Sequence, residues 1–386
     1  MASTTDTDTD FDPIYYPDLQ RFMRGRSERL AALGAAPVLP EILRPGSNTE
    51  MSWEGTGLDP NSYTWEISGS ELEDIDRCCA EYTSSGRTLH EIEKGTFRLP
   101  STLADQLAAR RHDLHHGAGI SLLRGLQPKT RTQRENFILF AGLASHLSEQ
   151  RGRQFGNKYL VHVTDLTAGD DSKKYAAPYC NQELPFHTDV GDVVAMFVFC
   201  SAANGGDGTF APVSTIYNKL MQSSPDLIPV LLESDWPFDR SSGEIFYKRP
   251  VMFLNDDQQP EMVFSRGALI RSARGQRPLS IPKLTRVQCE ALDAVHFAAV
   301  EATHTIQYQE GDLLIFNNRR ILHGRNAFAD TGDTGQRHMV RLWLKDEELA
   351  GKPTNLALQK LWDKTFARGN EGGYHERHWP SVPDPY

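Results

Sequence analysis

Apolar side chains recur mostly at helical spacing in the first 150 residues and mostly in short alternating runs thereafter, so the sequence predicts helices first and strands later. One helical pattern runs from Leu19 to Leu33. In SGSELEDIDRCCAEYTSSG, Ser70 stands three residues before Glu73 and ahead of apolar residues at helical spacing, which predicts a capped helix ended by Gly86. A second helix follows LPST, with Thr102 and Asp105 as its cap. GISLLRGL then predicts a short strand, and TQRENFILFAGLASHLSEQ a long amphipathic helix. Strands resume at Tyr159 to Val163 and Asp192 to Cys200. Beyond them come the short β runs EIFYKRPVMFL, EMVFSR, HTIQY and DLLIF, broken by the helical KLTRVQCEALDAVHFAAVEAT.

Many short strands after a set of helices suggest a mixed α/β chain with a mainly β core: a sandwich or barrel, of the jelly-roll and cupin kind, with helices packed outside. The 386 residues, 39% of them hydrophobic, suffice for a substantial core. No internal repeat or long low-complexity segment divides them, so a single domain over residues 11–386 is expected behind a tail of residues 1–10. Within it, residues 11–110 form an N-terminal extension with helices, 111–346 the β core with insertions, and 347–386 a C-terminal helix and tail.

Charge and cysteine content narrow the function classes. A net charge of -10 argues against nucleic-acid binding, which draws its affinity from clustered Lys and Arg. The one dense basic run near the N-terminus, RFMRGRSER, reads as a solvated helix face. MASTTDTDTD has neither a positive nor an apolar region, so it reads as a disordered tail rather than a secretory signal. No stretch approaches the roughly eighteen apolar residues of a membrane span. The five cysteines, 78, 79, 180, 200 and 289, are odd in number and irregularly spaced, which fits a reduced compartment and a cytoplasmic protein.

Candidate chemistry enters at LPFHTDVGD. On extended backbone, residues two apart share a face, so His187 and Asp189 can reach one metal while Thr188 points away. The pair alone decides nothing, because 13 His and 51 acidic residues give about 1.7 such pairs by chance. His323, in FNNRRILHGR, supplies a third ligand. Two imidazoles and a carboxylate with open positions are the pattern of non-haem Fe(II) oxygenases.

Downstream, Arg337 to Leu344 reads as a strand with Arg337, Met339, Arg341 and Trp343 on one face and His338, Val340, Leu342 and Leu344 on the other. With apolar side chains on both faces the strand is expected to be buried. Two inward guanidiniums then require anionic partners, and the planar fork of arginine suits carboxylates.

The combination of FHTDVGD, GGDGTF, EGDLLIFNNRRILHGR and QRHMVRLWL resembles the Fe(II)/2-oxoglutarate-dependent dioxygenases of the taurine dioxygenase and clavaminate synthase-like superfamily, over roughly Asn157 to Asp346. The resemblance implies a double-stranded β-helix with the metal in its mouth, and His187, Asp189 and His323 as both metal ligands and catalytic centre. It implies Arg337 on the distal carboxylate of 2-oxoglutarate and Arg341 on an anionic group of the substrate. Family members often carry a Ser or Thr two residues after a Gly-Gly pair, where its hydroxyl touches the co-substrate; here that slot is Gly208, and the adjacent Thr209 would take the role through a one-residue shift. Asn181 and Gln182 lie where related enzymes contact substrate. His162, in YLVHVTDL, either lines the substrate pocket or is a satisfied strand histidine.

The function implied is a dioxygenase that uses Fe(II), 2-oxoglutarate and O2 to oxidise a C–H bond of a small, anionic or amino-acid-like substrate by hydroxylation, desaturation or cyclisation, releasing succinate and CO2. Its partners would be small molecules, not nucleic acid or membrane, with homo-oligomerisation left open. Two rivals stand beside it: a Zn hydrolase using the same three ligands, and a non-catalytic cupin-like binding protein. Other motifs carry less. His375 and His378 sit in a proline-rich tail, His115 and His116 read as a solvent-facing pair, and Cys78 and Cys79 diverge on a helix. GGDGTF lacks the Lys-Ser/Thr ending of a phosphate loop.

Overall fold

The computed structural model describes residues 14–34, 50–148, 150–154, 157–167, 177–239, 246–270, 279–330, 336–367 and 374. The expected tail at 1–10 and the histidines 375 and 378 lie outside them. The first helix spans Leu19–Leu33, as its periodicity predicts, with the Asp18 side chain capping Arg21 N–H. The next, Gly69–Ser84, is capped by Ser68 and Glu71 rather than Ser70 and Glu73. Ser68 holds the extended backbone a cap needs, whereas Ser70 already lies in the first turn. The helix Ser101–His116 follows Pro100 and has no side-chain cap, because Thr102 and Asp105 lie inside it. Gln133–Ser145 and Arg286–Glu301 both start with reciprocal boxes, Thr132 with Glu135 and Thr285 with Gln288.

Two sheets build the core. The larger runs in the order Thr64–Glu66, Ile120–Arg124, Leu313–Asn317, Val193–Cys200, His338–Lys345, Gln150–Arg151, with Val161–Thr164 also paired to His338–Lys345. The smaller runs His304–Ile306, Gly208–Pro212, Ile321–Arg325, Leu184–His187. Alternation along the strands sorts their side chains into layers. Phe197, Ile315, Val340 and Leu342 of the larger sheet bury against Phe137, Phe140 and the other N-terminal helices. Val194, Leu314, Phe316 and Trp343, on its opposite face, meet Phe210 and Ile321 of the smaller sheet. Ala211 and Leu322, on the outer side of the smaller sheet, pack against Leu292 and Val295 of Arg286–Glu301. Each fully buried Leu, Val or Phe contributes about 1.5–3 kcal/mol, so this shared layer clamps the two sheets face to face. The result is the mixed, mainly β architecture expected, with two facing sheets that, among the described residues, do not close into a barrel.

Three further sequence expectations change. EIFYKRPVMFL does not enter either main sheet; it breaks at Pro250 into the ribbons Phe246–Arg249 with Trp236–Asp239 and Met252–Leu254 with Pro260–Met262. The His115-His116 pair also divides: His116 is exposed, but His115 is buried, with Nε2 3.2 Å from Asp346 Oδ2. One step along a helix turns a side chain by about 100°, which carries His115 under the Asp346 loop. Arg29 departs similarly from the solvated-face reading, its side chain largely buried and paired with Glu290 at 2.7 Å and with Asp226. No helix among the described residues is long and apolar enough to cross a membrane.

Candidate active site

The strand Leu184–His187 pairs antiparallel with Ile321–Arg325 in a register that sets His187 opposite His323. Directly opposed residues project to the same face, and the two ring centroids lie 4.2 Å apart. Asp189 follows the strand end and is fixed by Asn318, whose Oδ1 accepts from Asp189 N–H at 2.8 Å and whose Nδ2 donates to the carbonyls of Asp189 and Gly191 at 3.0 and 2.8 Å. Thr188 turns away, exchanging backbone and hydroxyl hydrogen bonds with Phe264. One ligand atom from each of His187, Asp189 and His323 lies within 4.8 Å of the others.

The protonation states suit a metal. The Pro185 carbonyl can only accept, so His187 Nδ1, 3.1 Å away, carries the proton and leaves the Nε2 lone pair free. Burial pushes the His187 imidazole below its ordinary range and His323 well below it, with Arg341 adding to both, and the neutral ring is the form that ligates. Asp189 Oδ2 is buried with no aligned hydrogen-bond donor among the described residues, 2.9 Å from Arg341 Nη1 and 3.7 Å from His323 Nε2. A buried carboxylate oxygen beside two neutral imidazoles is the donor set that Fe(II) accepts.

Arg341 balances the charge. Its Nη1 donates to Asp189 Oδ1 at 3.0 Å and lies 2.9 Å from Oδ2, while its Nε donates to Gln154 Oε1 at 2.9 Å. Gln154 in turn donates to the Arg341 carbonyl at 3.1 Å.

Arg337 lies on the same side of the strand, in a small pocket shared with His187, His323, Tyr308, Arg325 and Arg341. It is 3% exposed, and its Nη1 has no partner among the described residues although it is buried. Nη2 has only weak acceptors, Met339 Sδ at 2.9 Å and the Gly206 carbonyl at 3.4 Å. Burial, then the nearby Arg325, lower its pKa to about 10, so it remains a cation at neutral pH. Gly206 has φ +77, and a Cβ there would lie 3.0 Å from Arg337 Nε, so the glycine lets the guanidinium lie flat against the loop. Arg325 donates to the carbonyls of Cys180 and Gln182 and stacks over Phe328 at 4.8 Å, a contact that ties the preceding loop to the site. Asp189 also borders a cleft of about 700 Å³ walled in part by Phe238, Arg249, Phe264, Lys360 and Lys364.

Three expected side chains fall elsewhere. His162 pairs with Val340 across the strands and so faces the helices, stacked on His338 with Nδ1 2.7 Å from His338 Nε2; the neighbouring Val163 lines the pocket instead. Thr209 pairs with Gly324, one step out of phase with His323 and Phe210, and therefore points away from the metal ligands. Asn181 contributes its backbone carbonyl to Phe328 N–H at 3.0 Å and is not among the walls of either cavity. The residues that sequence reasoning missed are Gln154, Tyr308, Asn318 and Arg325. Asn318 had a signal, a paired Asn in the otherwise apolar run DLLIFNN; Arg325 had one too, two residues beyond His323 on the same strand face.

The sequence model of the family described as "Taurine catabolism dioxygenase TauD, TfdA family" matches residues 84–343. The chain belongs to this family. It is a non-haem Fe(II)/2-oxoglutarate-dependent dioxygenase, with iron as its metal and 2-oxoglutarate and O2 as co-substrates. Among TauD/TfdA relatives, it is 30% identical over 353 residues to the taurine hydroxylase-like protein SAT17 of Stachybotrys chartarum, covering 88% of this chain and 89% of that one. It is 22% identical over 339 residues to FR-33289 synthase of Streptomyces rubellomurinus, covering 85% and 98%. In structure it is similar to an asparagine oxygenase solved with Fe(II), hydroxyasparagine and succinate, at a TM-score of 0.59, 17% identity and coverage of 73% of this chain and 93% of that one. The non-haem iron oxygenase OrfP, solved with Fe and α-ketoglutaric acid, matches at a TM-score of 0.56, 16% identity and coverage of 73% and 94%. Family membership favours neither the zinc hydrolase nor the binding-protein reading.

Proposed function

We propose that His187, Asp189 and His323 hold the iron, that Arg337 anchors the far carboxylate of 2-oxoglutarate, and that the enzyme oxidises a C–H bond of a small anionic, amino-acid-like substrate. One observation carries this reading: a buried guanidinium with an N–H unpartnered among the described residues shares a pocket with His187 and His323, whose ring nitrogens cluster with the Asp189 carboxylate. Leaving such a cation unmatched costs several kcal/mol, and the far carboxylate of a dicarboxylate co-substrate bound beside it would supply the missing anion. When bound, the iron and 2-oxoglutarate supply an oxidant strong enough to break an unactivated C–H bond. The chain's own task is positional. Asn318 fixes Asp189, Arg341 orients its carboxylate, and Phe210 and Phe316 wall the histidines from water.

For the prime substrate, the cleft beside Asp189 brings Lys248, Arg249, Lys360 and Lys364 around Asp239, a cationic wall suited to an anion. Two of the three hydrogen-bonding nitrogens of Arg341 are committed to Asp189 and Gln154, so the contact it offers a substrate anion is through Nη2. The asparagine oxygenase and OrfP were solved with amino-acid ligands, which supports an amino-acid-like substrate here. The test is succinate release under Fe(II), 2-oxoglutarate and O2 across a panel of amino acids, sulfonates, phosphonates and matched neutral compounds. Stimulation by anionic members is expected; stimulation by neutral compounds alone overturns the substrate class.

A further inference from the structure

Gly208 faces the pocket of Arg337 without a side chain, and the structure shows what fills the space in front of it. Gly208 pairs with Arg325 and Phe210 pairs with His323, so position 208 projects to the metal side of the smaller sheet. A Cβ on Gly208 would overlap the hydroxyl oxygen of Tyr308 and lie 2.7 Å from its Cζ and 2.8 Å from Phe210 Cε2. Position 208 therefore has to be glycine while Tyr308 and Phe210 hold their places. Thr209 cannot take over, because its Oγ1 lies on the opposite side, 2.8 Å from where a Cβ on Gly324 would be.

Tyr308 reaches this spot from the segment after His304–Ile306. Its ring packs against the cluster of Val163, Val198 and Met339, which sets its direction, and its side chain lines the pocket of Arg337, His187 and His323. The Arg337 guanidinium is close enough for the two groups to interact electrostatically. Burial raises the phenol pKa far above neutrality, so the hydroxyl keeps its proton and can donate.

We propose that Tyr308 supplies, through its hydroxyl, the hydrogen-bond donor to the 2-oxoglutarate carboxylate that a Ser or Thr at position 208 would otherwise supply, acting beside Arg337 as a co-substrate-binding residue. The proposal rests on the assignment of Arg337 above. A charge-assisted O–H to carboxylate bond is among the stronger polar contacts. Gly208 and Tyr308 form a matched pair: the first leaves the space and the second fills it with an oxygen.

Binding of 2-oxoglutarate to the Mn(II)-loaded protein, followed by calorimetry, tests this without turnover. Tyr308→Phe removes one oxygen and should weaken 2-oxoglutarate about tenfold, while Mn(II) affinity and the thermal midpoint stay at wild-type values. In the Fe(II) enzyme, KM for 2-oxoglutarate should rise with kcat largely retained. Arg337→Gln runs in parallel. Wild-type affinity in Tyr308→Phe, with affinity lost in Arg337→Gln, overturns the role of Tyr308 and leaves the Arg337 assignment intact. Wild-type affinity in both overturns both, and a loss only in Tyr308→Phe overturns the Arg337 assignment while supporting Tyr308.

Discussion

Arg341 donates from Nη1 to Asp189 at 3.0 Å, so the carboxylate expected to ligate the metal is already paired with a buried cation. Metal and arginine thus compensate the same charge from two sides. Replacing Arg341 with Met leaves Asp189 buried beside neutral histidines, and breaking a buried pair in this way costs roughly 3 kcal/mol. A bound divalent ion restores the compensation. The metal-free variant should therefore melt well below wild type, and Mn(II) should raise its midpoint by more than it raises that of wild type. An equal Mn(II) shift in the two proteins, read by differential scanning fluorimetry with and without chelator, would show that Arg341 does not balance Asp189.

His187→Ala, Asp189→Ala and His323→Ala should each lose bound metal and 2-oxoglutarate-dependent succinate formation together while retaining the circular dichroism of the folded protein. The side chains lie between two sheets whose shared apolar layer, Val194, Phe316, Phe210 and Ile321, is untouched by these changes. Full succinate production by any one of them contradicts the ligand assignment.

That His187 and Asp189 would share a side was legible in sequence because period-2 alternation needs only local backbone: Thr188 does turn to Phe264, while ligand atoms of its two neighbours lie within 4.8 Å of one another. The paired faces of His338–Lys345 were legible for the same reason. Alternation says which residues share a face but not which face is inward. His162 was therefore open between two readings, and its packing against Phe137 and His338 decides for the strand histidine. Thr209 shows how sharply a one-residue step matters, since it exchanges the pocket for the outer side of the sheet. Tyr308 and Gln154 carry no local signal at all. Each becomes part of the site only when a distant strand brings Gly208 or Arg341 against it.

The His162–His338 pair makes the fold sensitive to acid. Burial, and then His162, lower the His338 pKa to about 3. Below about pH 6.5 an unfolded chain binds a proton that the folded chain refuses, so stability falls by about 1.4 kcal/mol per pH unit from this residue. The loss should continue to near pH 3 and be absent above pH 7. In His338→Phe the slope of unfolding free energy between pH 4 and 6, taken from urea denaturation, should drop by one proton equivalent. An unchanged slope would mean that His338 is not the buried neutral group responsible.

The cationic cleft makes a separate prediction about substrate. With Asp189 matched by Arg341 or by metal, Lys248, Arg249, Lys360 and Lys364 face Asp239 as the remaining acid among the described walls. Arg249 is buried against Phe238, with its guanidinium carbon 3.5 Å from the ring centroid, and is bonded to backbone carbonyls, so its removal would disturb the fold. Lys360 and Lys364 are exposed and can be reversed safely. Charges of one sign at a cleft raise the local concentration of an opposite ion, an effect that salt screens with a Debye length of about 8 Å at physiological ionic strength. Lys360→Glu with Lys364→Glu should therefore raise KM for an anionic substrate severalfold and flatten its dependence on ionic strength, while kcat and 2-oxoglutarate affinity, which we propose depend on His187, His323 and Arg337, stay near wild type. Steady-state kinetics from 20 to 300 mM salt would decide it. An unaltered salt dependence in the double variant would mean that the substrate reaches the metal by another route or carries no net negative charge.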